Sequence, residues 1–145
     1  MADYFTQFSC VLDVGAPDKA VTALDIFLRL READEASDDP EFSGFALSLQ
    51  DGPGSSVLWF HDDGQGDVEG VIRCVLLLAE DIDLTGLWGF DYASTCSRPR
   101  LEAFGGGAHV IDLGARKSVG WLSTHEWLTA AMNGEDIDAV EALVA

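Results

Sequence analysis

Between Cys96 and His109 the chain reads CSRPRLEAFGGGAH, which gathers a thiol, an imidazole, two guanidinium groups and three consecutive glycines into one short stretch. Glycines let backbone amides approach a ligand closely, and arginine forks hold anions. Arg98, Arg100, Gly105, Gly106, Gly107 and His109 therefore read as a candidate pocket for a small anion, and as the place where an enzyme or anion-binding protein would do its work. The spacing weakens this. The glycines lead into an apparent strand rather than a helix, so neither a nucleotide-binding phosphate loop nor a dinucleotide cradle fits. Glycines so placed more often mark a bulge or close backbone packing, and the arginines can pair with neighbouring carboxylates. Cys96 and His109 have the types of a nucleophile and its base, with Asp91 or Asp112 to orient the ring, but nothing in the sequence brings residues this far apart together.

The second concentration of chemistry is negative. Eleven carboxylates and no lysine or arginine lie between Glu32 and Ile72, in a chain whose net charge is −18. Glu32, Asp34, Glu35, Asp38, Asp39 and Glu41 follow the end of an expected helix and are too polar in pattern for a core. Asp62, Asp63, Asp67 and Glu69 lie at a second loop and helix start. If the two loops meet at one end of a sheet, they form a single negative surface. A row of carboxylates can imitate spaced phosphates and occupy a positively charged groove, with electrostatic steering to speed the encounter. The plainer account is a solvated face plus a helix N-terminus that favours carboxylates.

Neither a metal site nor a cofactor is expected. Asp63, Asp67 and Glu69 offer oxygens near a glycine-containing turn, but the stretch lacks the sixth-position glycine and twelfth-position glutamate of a calcium loop. No two histidines stand at zinc-ligand spacing.

These residues must be held by something. At 145 residues the chain fits one domain without a linker, long enough to bury roughly two thirds of the surface its unfolded form exposes. Hydrophobic residues make up 48% and charged residues 23%, close to globular averages, so the acidity is not that of a disordered chain. Residues 4 to 12 alternate as a strand with Tyr4, Thr6, Phe8, Cys10 and Leu12 on one side. Pro17 suits a helix first turn, and helical spacing runs on to about Ala36. Phe42 to Leu49 and Ser56 to His61 read as two strands around the turn Asp51-Gly52-Pro53-Gly54. Asp67 caps a helix whose face is Val68, Val71, Ile72, Val75, Leu76, Ala79 and Ile82. Trp88, Phe90 and Tyr92 share one side of a further strand. Ala108 to Leu113 with Ser118 to Leu122 reads as a hairpin, and Ser123 with Glu126 as the capping box of a helix closed by Asn133-Gly134. Asp136 to Val144 is expected as a short terminal helix.

The order β-α-β-β-α-β-β-β-α-α predicts an α+β two-layer sandwich, a mostly antiparallel sheet with helices on one face, and a split-βαβ arrangement within it. Three widely spaced cysteines, no leader pattern and no long apolar run point to a reducing cytoplasm and away from a membrane.

Charge and the lack of a catalytic motif together imply a binder rather than an enzyme. The expected partner is a basic protein such as a nuclease or another nucleic-acid-binding enzyme, whose functional site an acidic surface would occlude. Direct contact with nucleic acid is disfavoured by charge. By analogy of size and charge alone, this is how immunity proteins and nucleic-acid-mimicking anti-defence inhibitors work. A third reading assigns the acidity to genome composition, since the chain has only two lysines and one asparagine.

Overall fold

The computed structural model describes residues 3–38, 42, 44–63, 66–101 and 103–135. Its elements run β1 (Tyr4–Gln7), β2 (Ser9–Asp13), α1 (Pro17–Glu35), β3 (Phe45–Leu49), β4 (Val57–Asp62), α2 (Val68–Asp81), β5 (Leu87–Cys96), β6 (Gly105–Asp112), β7 (Lys117–Ser123) and α3 (Thr124–Met132). This is an α+β fold with antiparallel pairing throughout, in the predicted element order. The expected terminal helix from Asp136 lies outside the described residues.

The first strand is where the sheet divides. β1 and β2 form one extended segment broken only at Phe8, and the side-chain alternation does not slip across the break: Phe8 and Leu12 are buried and Cys10 half-buried, while Ser9, Val11 and Asp13 are exposed. What changes is the partner. β1 pairs with β5, Tyr4 opposite Cys96, whereas β2 pairs with β4, Ser9 opposite His61. Two sheets result, ordered β1-β5-β6-β7 and β2-β4-β3. Trp88 bridges the seam between them by donating its indole Nε1–H to the Val11 carbonyl at 2.8 Å.

Antiparallel registers fix the remaining directions. β2 and β3 run parallel with β4 between them and α1 joining them. β4 and β5 likewise run parallel, with the β1/β2 segment between them and α2 joining them. The predicted split-βαβ unit therefore occurs twice, which is ferredoxin-like connectivity, and the β6–β7 hairpin extends the sheet beyond β5.

One core lies between sheet and helices. Asp67 starts α2 by accepting the Gly70 N–H at 3.0 Å, and the helix buries Val71, Cys74, Val75 and Leu78 in the same core as Leu58, Phe60 and Ile111. α1 adds Ala20, Ala23 and Phe27, whose ring centroid lies 5.5 Å from that of Phe45. Burial pushes the Cys74 thiol up to about 12, so it packs as a small hydrophobe. The β3–β4 turn forms as expected, with Leu49 opposite Leu58 and positive φ at Asp51, Gly52 and Gly54.

Two local expectations are corrected. β6 begins at Gly105 rather than at Ala108, because the three glycines are themselves laddered to β5. Ser123 is the N-cap of α3, but its side chain makes no capping hydrogen bond. That residue closes β7 opposite Gly107, and strand pairing sets its backbone.

Candidate functional site

The two acidic connections leave the sheet at one end. Phe45 at the start of β3 stands opposite Asp62 at the end of β4, so the α1–β3 and β4–α2 connections leave the sheet at the same end. Exposed there are Glu32, Glu35, Asp38, Asp63 and Glu69. Asp39 and Glu41 lie outside the described residues. The flanking Arg31 turns inward, donating to the Phe45 carbonyl at 3.3 Å with its guanidinium 5.9 Å from the Phe27 ring centroid. It therefore does little to screen the carboxylates.

Three of the predicted acidic residues have structural work instead. Asp34 is 8% exposed and accepts the backbone N–H of buried Phe42 at 2.9 Å, which corrects the expectation that it is too polar for the interior. Phe42 must enter the core, its N–H needs an acceptor, and a carboxylate at the end of α1 supplies it. Asp62 accepts the Phe8 N–H at 2.8 Å while its own N–H donates to the Phe8 carbonyl at 3.1 Å, pinning the break between β1 and β2. Asp67 is occupied as the α2 cap.

The glycine-arginine segment does not stay together. A Cβ on Gly106 would lie 2.2 Å from the Tyr92 carbonyl oxygen, and one on Gly105 2.8 Å from the His125 ring. Neighbouring protein atoms take up the space those glycines leave. Arg98 and Arg100 are exposed in the β5–β6 connection, while His109 lies further along β6. Cys96 pairs with Tyr4, whereas His109 pairs with Phe90, which puts the two about 20 Å apart along the sheet. Asp91, next along from Phe90, is exposed on the opposite face of β5.

His109 belongs to a different arrangement, one the sequence did not single out. β6 and β7 carry the sheet past α2, leaving part of its inner face uncovered. His109 stands opposite both Phe90 and Trp121, so imidazole and indole lie on the same face as the buried Phe90 ring. The two rings stack with centroids 6.1 Å apart at 15°, and His109 Nε2 lies 2.7 Å from Ser118 Oγ. Burial lowers the His109 pKa from its ordinary value of 6.5.

A cleft of about 560 Å³ opens here, lined among others by Thr6, Asp67, Glu69, Tyr92, His109 and Trp121. Gly107 lets the Tyr92 side chain that lines it lie close over β6, since a Cβ there would sit 2.5 Å from the Tyr92 hydroxyl. Its walls come from β1, α2, β5, β6 and β7, so only the tertiary fold reveals it. The local signal that was available is the alternation of β7, which places Trp121 on the inner face with nothing in the sequence to cover it.

Among the described residues no group of three or more histidines, cysteines, aspartates or glutamates is placed to hold a metal ion. No described helix is long and apolar enough to cross a membrane. No protein-family model, curated protein or solved structure matches the chain.

Proposed function

We propose that this protein acts as a stoichiometric binder, docking its acidic end on a basic functional site of a partner protein and blocking access to it. The observation that supports this reading is the convergence of the α1–β3 and β4–α2 connections at one end of the sheet, with Glu32, Glu35, Asp38, Asp63 and Glu69 exposed there. Like charges held together repel one another, and a positively charged groove relieves that repulsion while carboxylates replace the phosphates it normally holds. A nuclease or other nucleic-acid-binding enzyme has such a groove.

The test must spare the carboxylates that hold the fold. A variant with Glu32→Gln, Glu35→Gln and Asp38→Asn leaves Asp34, Asp62, Asp63 and Asp67 in place. Tagged wild type and variant are passed over host lysate, washed in steps of rising salt, and the retained proteins identified. The expected result is a basic partner held by the wild type, released by salt, displaced by nucleic acid and not retained by the variant. A partner held equally well by both proteins would overturn the reading.

A further inference from the structure

The cleft beside α2 combines features that select one kind of group. Its ionisable lining residues are Asp67, Glu69, Tyr92 and His109, with no lysine or arginine. Arg73, one turn beyond Glu69 on α2, does not line it. Asp67 already accepts a helix N–H, and its charge offsets the positive end of the α2 dipole. Glu69, in the first turn of α2, is exposed and adds a second negative charge to the cleft wall. His109 is held toward its neutral form by burial, so it contributes no competing cation near neutral pH. Opposite these lies Trp121, 53% exposed although its strand register places it on the inner face.

An exposed indole, a phenol and carboxylates around a cleft repel anions and favour cations. A planar guanidinium can stack on the indole and share hydrogen bonds with a carboxylate, which an ammonium group cannot do in the same geometry. The volume of about 560 Å³ falls within the roughly 300–1,000 Å³ of side-chain-sized and small-ligand sites. We infer that this cleft receives an arginine side chain of the basic partner, with the guanidinium on Trp121 and directed to Glu69. The inference rests on the docking reading above and names the group that docking would seat.

The probe is N-acetyl-arginine amide, titrated into isotopically labelled protein and followed by NMR. N-acetyl-citrulline amide serves as the neutral isostere. Saturable shifts are expected at the Trp121 indole N–H, His109 and Glu69, with the citrulline probe at least about tenfold weaker. Glu69→Gln and Trp121→Leu should each weaken arginine binding by about fivefold or more. If Trp121→Leu fails to fold, Trp121→Phe keeps a ring in place and should weaken binding, but less than Glu69→Gln does. Equal binding of the two probes, or shifts confined to residues 32 to 38 with Trp121 unmoved, would overturn the assignment. The two readings fail separately. Salt-sensitive capture of a partner with no arginine binding in the cleft removes only the cleft; arginine binding with partner capture unaffected by the acidic-end variant removes only the docking face.

Discussion

Two buried or half-buried groups show how single residues in this chain balance charge against the interior. Phe42 is 5% exposed and its N–H is bonded to Asp34, itself 8% exposed. Removing the acceptor leaves a buried donor unsatisfied, so Asp34→Ala should cost about 1–3 kcal/mol, and Asp34→Asn, which keeps an oxygen, should cost less. Urea unfolding would show this as a lower midpoint with an unchanged slope, and equal losses in the two variants would count against the hydrogen bond. His109 is the other case. Its pKa is lowered by desolvation from 6.5, so the unfolded chain takes up a proton there more readily than the folded one. The neutral ring's contribution is complete above pH 6.5 and is lost as pH falls from 6.5 through the lower folded value. Wild type should therefore lose more stability than His109→Gln between about pH 7.5 and 5.5, and parallel profiles would show the ring to be uncoupled from folding.

At the scale of elements, the β5–β6–β7 sheet depends on strand surfaces that carry no side chain. Gly106 approaches β5 so closely that a Cβ would sit 2.2 Å from the Tyr92 carbonyl and 3.3 Å from the Ala93 Cα. Neither backbone atom can swing aside as a side chain would, so Gly106→Ala should destabilise by about 1–3 kcal/mol, measured by thermal or urea unfolding. A neutral result would mean the two strands part easily there. The same glycines explain what the sequence could and could not convey. α2 was legible because Val71, Val75 and Ala79 repeat at helical spacing and Asp67 marks the start. The β1/β2 alternation was legible through Phe8, but alternation carries no information about which strand lies alongside, so the change of partner at Phe8 was hidden. Gly105 to Gly107 have no side chains to alternate, so the strand was visible from Ala108 but not its first three residues. The acidic end could be stated only as a condition on two loops, and the register of Phe45 with Asp62 adds that both leave the sheet at the same end. The cleft was invisible for the reason that makes it a site at all: its walls are brought together by five elements.

For the whole molecule the governing quantity is a net charge of −18 on 145 residues. Charge of one sign on a compact body opposes folding, because the unfolded chain can spread it over a larger volume. Salt screens the interaction over a length of about 10 Å at 0.1 M. The wild type should therefore gain thermal stability between about 0.05 and 0.5 M NaCl. Salt also strengthens apolar burial to a degree that does not depend on a few surface charges, so the informative quantity is the difference between the wild type and the variant with Glu32→Gln, Glu35→Gln and Asp38→Asn. If repulsion is concentrated at the acidic end, the variant should be the more stable protein at low salt, with the advantage shrinking as salt rises. If the charge is spread evenly by composition, removing three of the 26 carboxylates should leave the two salt profiles nearly parallel. The comparison needs no partner, so it separates an acidic end kept for binding at a cost in stability from an acidity shared by the whole surface.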